Sequence, residues 1–262
     1  METNDIKTLT VHLDVNNLLV LFAEQLSSLL GDQLVGLYLT GSLTYGDFDP
    51  ESSDIDFLAV LTHALSKEQL GQIEAMHVQI GKSFPKWAKR LEGSYITKDM
   101  LGGVQPPKQS RPYINGGRLR DFVYGNEWVL NLYVLHECGV TLYGVPVKEL
   151  VEPVAISQVR EASKKDLHDD WAPKLHDPKA FDDEDYESGH LQAYAILTMC
   201  RILYREFNDE VASKRKSSAW VKTVYPHWAD LVGKAENWQH GSELGATAET
   251  LDFIRFTMDE VG

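Results

Sequence analysis

Hydrophobic residues recur along the chain with two different periods, and these periods predict its elements. Residues 14–31 place apolar side chains at helical spacing and end at a glycine, which predicts a helix. The segments 33–42, 53–62 and 90–97 alternate apolar and polar residues, which predicts three strands. Segment 66–84 has a helical period and begins at a serine that can cap a helix. The order helix, strand, strand, helix, strand indicates an α/β domain.

The rest of the chain is predicted to be one long loop followed by helices. Gly and Pro are spread through residues 102–117, so we expect a long surface or active-site loop there. A helical pattern follows in residues 126–139, and later helical segments cover 156–171, 186–207, 213–222, 225–238 and 243–260. We therefore predict an α/β N-terminal domain with a mixed sheet, residues 1–155, followed by an all-α helical bundle, residues 156–262.

The composition narrows the class of protein. A chain of 262 residues with 43% hydrophobic content can bury a substantial core. With only two cysteines, Cys138 and Cys200, we expect neither a structural disulfide nor a cysteine-ligated zinc site. The first residues contain no continuous apolar stretch, so we expect no signal peptide, no membrane span and a cytoplasmic location.

The chain is strongly acidic. It carries 39 acidic and 25 basic residues, for a formal net charge of -14. This charge disfavours nonspecific binding to the phosphates of nucleic acids, and it favours cationic substrates instead. Acidic surfaces are also common in proteins without any cationic ligand, so charge alone does not decide the substrate.

The candidate chemistry lies in residues 39–60, where a Gly-Ser pair follows one predicted strand and Asp-Ile-Asp opens the next. Because strand side chains alternate, Asp54 and Asp56 are expected on one face, roughly 6 to 7 Å apart along the strand. Such close carboxylates repel each other, and Mg²⁺ removes that repulsion while it binds phosphate oxygens. Gly41 lets the backbone approach a ligand, and the hydroxyl of Ser42 can donate to phosphate. These residues predict a site for a divalent cation and a triphosphate.

This arrangement resembles the nucleotidyltransferase superfamily related to DNA polymerase beta, whose hallmark is Gly-Ser followed about a dozen residues later by Asp-hydrophobic-Asp. The chain matches the hallmark in full, at Gly41, Ser42, Asp54 and Asp56. More narrowly, the segment GSLTYGDFDPESSDID resembles the streptomycin and spectinomycin (aminoglycoside) adenylyltransferases, in which a serine directly precedes the first aspartate, as Ser53 does here. The stretch 195–221 is similar to the helical domain of that family. The resemblance implies a nucleotidyltransferase domain at residues 1–155 that moves AMP from ATP, with Mg²⁺, to a hydroxyl of an aminoglycoside or spectinomycin-like antibiotic.

The same resemblance implies roles for residues outside the motif. Glu92, on the third predicted strand, falls where the family carries its catalytic glutamate, which implies a general base. Such a base is needed because the acceptor hydroxyl must lose its proton while it attacks the α-phosphorus. Arg201 and Lys214 match positions whose side chains reach the ATP phosphates, whose charge one metal ion leaves partly uncompensated. Gly41, Ser42 and Ser53 complete the implied nucleotide site, with Asp54 and Asp56 as metal ligands and catalytic residues.

The acceptor is less directly indicated. A cationic acceptor requires carboxylates and flat rings, and the candidates are Glu92, Asp182, Asp183, Asp185, Glu187, Trp128 and Tyr113. In the family an acidic residue contacts the drug at the position where this chain has Leu191, beside His190. Another small cationic or polyol substrate, or a protein acceptor, is therefore an alternative, as is a non-catalytic nucleotide-binding regulatory protein. We expect a monomer that binds neither nucleic acid nor a membrane.

Overall fold

The protein is described by a computed structural model. It describes residues 6–7, 9–51, 53–177, 179–182, 187–239 and 241–262. These residues form two compact units, one up to Val154 and the other from Ala155 to Gly262. Within these ranges, no helix is long and apolar enough to cross a membrane. The thiols of Cys138 and Cys200 are both free.

The N-terminal unit is built on a mixed sheet, as predicted. Its described part has six strands: β1 Leu34–Thr40, β2 Ile55–Leu61, β3 Leu91–Thr97, β4 Arg111–Asn115, β5 Arg118–Phe122 and β6 Val140–Gly144. They lie in the order β5-β4-β3-β2-β1-β6. The neighbours β2 and β3 are parallel, and the other pairs are antiparallel. In the parallel register Asp56 lies opposite Glu92, so the sheet itself sets these two carboxylates side by side.

Helices cover the sheet and form the core of this unit. They are α1 Leu13–Leu30, α2 Lys67–Ser83, α3 Glu127–Cys138 and the short α4 Val147–Leu150. The core beneath α1 and α2 contains Phe22 of α1, Phe57 of β2 and Tyr95 of β3, all buried. Because successive strand residues point to opposite faces, the burial of Phe57 and Tyr95 leaves Asp56 and Glu92 on the other face.

The predicted loop at residues 102–117 is wrong in its second half. Strands β4 and β5 form a β-hairpin there, with Asn115 paired to Arg118. Gly116 and Gly117 connect the strands with φ of +58° and +77°. A two-residue type I′ turn requires positive φ at both central positions, which glycine adopts without strain. The glycines therefore mark a hairpin rather than an irregular segment.

The C-terminal unit is helical in its described part, as predicted. Its helices are α5 Ile156–Asp166, α6 Ser188–Asn208, α7 Lys214–Val224, α8 Ala229–Glu236 and α9 Thr247–Val261. A π-helical turn, Leu167–Trp171, extends α5. The core of the unit is formed around α6, whose Ile196, Met199 and Leu203 are fully buried together with residues of α7, α8 and α9.

Candidate active site

Strand β1 ends in a tight turn that stands against the carboxylate of Asp56. The turn, Gly41–Leu43, is a single 3₁₀ turn, and the amide of Thr44 donates to the carbonyl of Gly41 at 3.0 Å. Gly41 has a φ of +69°, and a Cβ there would lie 2.0 Å from Oδ2 of Asp56. Glycine thus allows both the backbone conformation and the close approach of the carboxylate. Ser42 lies in the same turn, half-buried.

Asp54 lies directly before β2, next to Arg90. Nε of Arg90 is 3.7 Å from Oδ1 of Asp54, which is longer than a hydrogen bond. The guanidinium donates instead to the carbonyls of Pro50, at 2.9 Å, and Ser53. The hydroxyl of Ser53 accepts from the amide of Asp49 at 3.0 Å, which stabilises the turn before β2. The side chain of Asp54 is still 45% exposed and therefore accessible to a ligand.

Glu92, the second residue of β3, is the half-buried centre of the site. Burial, followed by the charges of Asp54 and Asp56, raises the pKa of Glu92 to about 8. The hydroxyl of Tyr113 and the amide of Asn115 each donate to Oε2 of Glu92 at 3.4 Å. The carboxylates of Asp54, Asp56 and Glu92 therefore lie close enough for the first two to raise the pKa of the third. Glu92 also accepts hydrogen bonds from neutral donors.

These neutral donors come from the β4–β5 hairpin, and sequence reasoning missed their role. Tyr113, a candidate stacking surface for an acceptor, lines the cavity, and its hydroxyl contacts Glu92; the stacking role stays a prediction. Asn115 and the backbone N–H of Gly116 also contact Glu92 and were not considered. The signal that could have found them is the Gly-Gly pair between two short runs of alternating residues, which is typical of a hairpin.

The carboxylates fit an open site for a hard cation. No group of three or more His, Cys, Asp or Glu side chains in the described part of the chain is arranged to hold a metal ion. Asp54 and Asp56 supply two carboxylates, and Mg²⁺ is typically held by one or two carboxylates together with water and substrate phosphates. Burial accounts for most of the raised pKa of Glu92, and the charges of Asp54 and Asp56 add to it; a divalent cation held by this pair would offset that second contribution.

A cavity of about 320 Å³ opens beside Asp56 and Glu92, between the sheet and α3. Both apolar and polar residues of α3 line it, and Arg111 of β4 lines it as well. The residues of α3 are Glu127, Trp128, Asn131, Leu132 and Leu135. Trp128, considered as a stacking surface, is only 1% exposed and donates from Nε1 to the carbonyl of Gly103 at 3.1 Å. It packs as a core residue at the inner wall, so its ring does not offer a free stacking face.

The residues predicted to bind phosphate from the helical part lie in the C-terminal unit. Arg201 on α6 is half-buried, and its Nη2 donates to the hydroxyl of Thr198 at 3.0 Å. Its Nε is buried and has no hydrogen-bond partner among the residues that the structure describes. Lys214 is exposed and begins α7. The phosphate role of both residues stays a prediction.

The acidic candidates for binding an acceptor are only partly described. Asp183 and Asp185 lie outside the described residues. Asp182 is exposed, and Oε2 of Glu187 accepts from the amide of Gly241 at 2.8 Å. Glu187 therefore stabilises a loop of its own unit, and its role toward an acceptor stays a prediction.

Comparison with known proteins places both units in described families. Residues 19–97 match the nucleotidyltransferase domain, and residues 149–257 match the C-terminal domain of aminoglycoside adenylyltransferase. Spectinomycin 9-adenylyltransferase of Campylobacter jejuni is 24% identical over 209 residues, which cover 76% of this chain and 75% of that protein.

A solved structure shares the fold. The crystal structure of spectinomycin adenyltransferase AAD(9) from Enterococcus faecialis, with ATP and spectinomycin, has a TM-score of 0.68 and 19% identity to this chain. The match covers 94% of this chain and 98% of that one. The two family matches lie one in each unit and together take in most of the chain. The N-terminal unit therefore matches a nucleotidyltransferase domain, and the C-terminal unit matches the C-terminal domain of aminoglycoside adenylyltransferase.

Proposed function

We propose that this protein transfers AMP from ATP to a hydroxyl of an aminoglycoside or spectinomycin-like antibiotic and releases pyrophosphate. The observation that carries the proposal is the convergence of Asp54, Asp56 and Glu92 beside the turn at Gly41, next to a cavity. The relatives support the choice of acceptor, since both are named for spectinomycin adenylylation.

Glu92 is proposed to accept the proton of the acceptor hydroxyl as that oxygen attacks the α-phosphorus. Without a metal ion, burial and the charges of Asp54 and Asp56 raise the pKa of Glu92 to about 8, and the charge of a bound cation would lower that pKa so that the carboxylate could accept a proton near neutral pH. Tyr113 and Asn115 hold the carboxylate in place through its Oε2. This fixed position would set the distance between the base and the hydroxyl, which proton transfer requires.

The remaining residues are proposed to bind and orient the triphosphate. Asp54 and Asp56 would hold a Mg²⁺ ion, which when bound would offset their charge, lower the pKa of Glu92 and stabilise charge on the phosphates. The turn at Gly41 and Ser42, with Ser53 before β2, would donate to phosphate oxygens. In the C-terminal unit, Arg201 and Lys214 are proposed to compensate the remaining phosphate charge.

Pyrophosphate release tests the proposal directly. The purified protein would be supplied with ATP, Mg²⁺ and either spectinomycin, streptomycin, another aminoglycoside or a simple polyol. We expect release to depend on an antibiotic acceptor. Release with polyols alone would support a different small-molecule acceptor, and ATP binding without release on any acceptor would support a regulatory protein.

An Asp56→Asn variant tests the role of the Asp56 carboxylate in this reaction. The change removes one charge at nearly constant size from a residue outside the hydrophobic core. We expect turnover to fall by roughly two orders of magnitude or more, with an unchanged midpoint of thermal unfolding. Normal turnover in this variant would contradict the assignment of Asp56.

A further inference from the structure

Arg111 is a buried cation in the wall of the cavity, and one of its hydrogen-bond donors has no partner among the described residues. The residue is 7% exposed and lines the same cavity as Asp56 and Glu92. Its Nε donates to the hydroxyl of Ser94 at 3.1 Å. Its Nη1 is buried and has no hydrogen-bond partner within the described part of the chain. A buried donor without a partner destabilises the folded protein, and a ligand oxygen at this place would satisfy it.

Aromatic rings rather than carboxylates surround the charge of Arg111. The guanidinium carbon lies 3.5 Å from the centroid of the Tyr124 ring and 5.5 Å from that of Tyr113. None of the carboxylates that the structure describes forms an ion pair with Arg111. A ring face attracts the cation but does not accept the hydrogen bonds that the guanidinium donates in its own plane. The contacts of Arg111 thus hold its charge in the cavity wall, while Nη1 has no hydrogen-bond partner among the described residues.

The position of Arg111 relative to Glu92 sets what kind of ligand would fit. Arg111 donates to Ser94, which lies two residues beyond Glu92 on β3 and on the same face. Residues two apart on a strand are separated by roughly 6 to 7 Å. This is about the width of one six-membered sugar ring with its substituents. A ligand whose hydroxyl reaches Glu92 would therefore present the next side of its ring to Arg111.

We propose that Arg111 selects the acceptor by donating to one of its oxygens, a carbonyl, ether or hydroxyl oxygen one ring away from the hydroxyl that receives AMP. This inference rests on the proposed function and adds the chemical class of the acceptor to it. An ammonium or guanidinium group at that place would meet a buried like charge, which is unfavourable. The cavity, at about 320 Å³, is also near the lower end of the size of cavities that hold drug-like ligands. At the position next to Arg111, the site therefore favours an oxygen of the acceptor over an ammonium or guanidinium group.

Steady-state kinetics with two Arg111 variants test the inference. Arg111→Gln removes the charge, and Arg111→Lys keeps the charge but loses the planar fork of donors. Arg118→Gln is the control, because Arg118 is an exposed arginine of the same hairpin. Each protein would be assayed with spectinomycin, which is compact and rich in oxygen, and with streptomycin, which carries two guanidinium groups. The KM for ATP and the midpoint of thermal unfolding would be measured alongside.

We expect both Arg111 variants to raise the KM for spectinomycin about 10-fold or more, as for the loss of a hydrogen bond to a charged group. The KM for ATP should stay unchanged, and Arg118→Gln should behave as the wild type. If Arg111→Gln does not fold, Arg111→Lys alone decides through its KM for spectinomycin.

Two results would overturn the inference while the proposed function stands. One is an unchanged KM for spectinomycin in both variants. The other is that the KM for ATP and the KM for spectinomycin rise by equal factors and the unfolding midpoint falls. In that case Arg111 would stabilise the fold and would not select the acceptor. Failure of the proposed function looks different, because the wild type itself would then release no pyrophosphate with any antibiotic.

Discussion

A methyl group at Gly41 would collide with the carboxylate of Asp56, so the Gly41→Ala variant tests the geometry of the site. The φ of Gly41 is +69°, a region where an L residue costs about 1–2 kcal/mol. The new Cβ would lie 2.0 Å from Oδ2 of Asp56, whereas nonbonded atoms normally stay about 3.5 Å apart. The turn or the carboxylate must therefore move by about 1 to 1.5 Å, and a displacement of 1 Å at a reacting centre lowers turnover about 100-fold.

The assay separates the loss of activity from the loss of stability. We expect Gly41→Ala to lower kcat for pyrophosphate release about 100-fold, and urea unfolding to show a loss of about 1–2 kcal/mol. Gly46→Ala is the matched control, because Gly46 has a φ of +76° and nothing lies within 4 Å of a Cβ built there. It carries the same kind of backbone strain without the collision, so it should lose similar stability and keep its turnover.

Equal turnover in the two alanine variants would refute this reasoning. It would mean that the carboxylate of Asp56 can leave its place against the turn without any effect on the reaction. The assignment of Asp56 as a ligand of the reactive metal would then lose its geometric basis.

Three further substitutions probe the base, a buried histidine and a helix cap. Glu92→Gln should slow AMP transfer about 100-fold or more in single-turnover measurements while calorimetry shows unchanged ATP affinity, and lost affinity would place Glu92 in the nucleotide pocket instead. Burial lowers the pKa of His77 from 6.5 to about 4, and its ring shares a hydrogen bond of 2.6 Å with the hydroxyl of Tyr95. Above pH 6.5 the ring of His77 is unprotonated in both the folded and the unfolded protein. Between pH 6.5 and about pH 4 the ring binds a proton only in the unfolded protein, so the free energy of unfolding falls as the pH is lowered through this range. Between pH 8 and pH 5.5 the wild type should lose about 1.4 kcal/mol more than His77→Gln in urea titrations, and an identical pH dependence would contradict this account. Ser66 caps α2 by accepting from the amide of Gln69, so Ser66→Ala should lower the free energy of unfolding by about 1 kcal/mol, and an unchanged urea midpoint would show that the cap adds nothing.

The carboxylate pair could be predicted from the sequence because its signals are local. The alternation of β2 indicates which way Asp56 points, and Gly41 marks a turn at the end of the preceding strand. The place of Glu92 opposite Asp56 depends on strand register, which joins residues far apart in the chain and is not visible in any single segment. Only the family resemblance pointed to Glu92.

The walls of the cavity could not be predicted from local pattern. Charged residues are mostly exposed, so nothing in a segment rich in Gly and Pro indicates that Arg111 is buried. The apolar pattern of α3 does not tell whether Trp128 faces a ligand or the core, and the structure places it in the core. Strand β6 was missed because it has only five residues, and alternation over so short a run is weak evidence for a strand.

The parallel pairing of β2 and β3 fixes the geometry of one half of the site, and the other half can vary without changing that geometry. Backbone hydrogen bonds hold neighbouring strands about 4.8 Å apart, so the spacing of Asp56 and Glu92 is a property of the sheet and does not depend on any loop. The opposite wall belongs to a hairpin at the edge of the sheet and to one helix, where substitutions leave that spacing intact. Substitutions in this outer wall at positions that do not contact Glu92 could therefore change which acceptor fits while the spacing of the two carboxylates is kept.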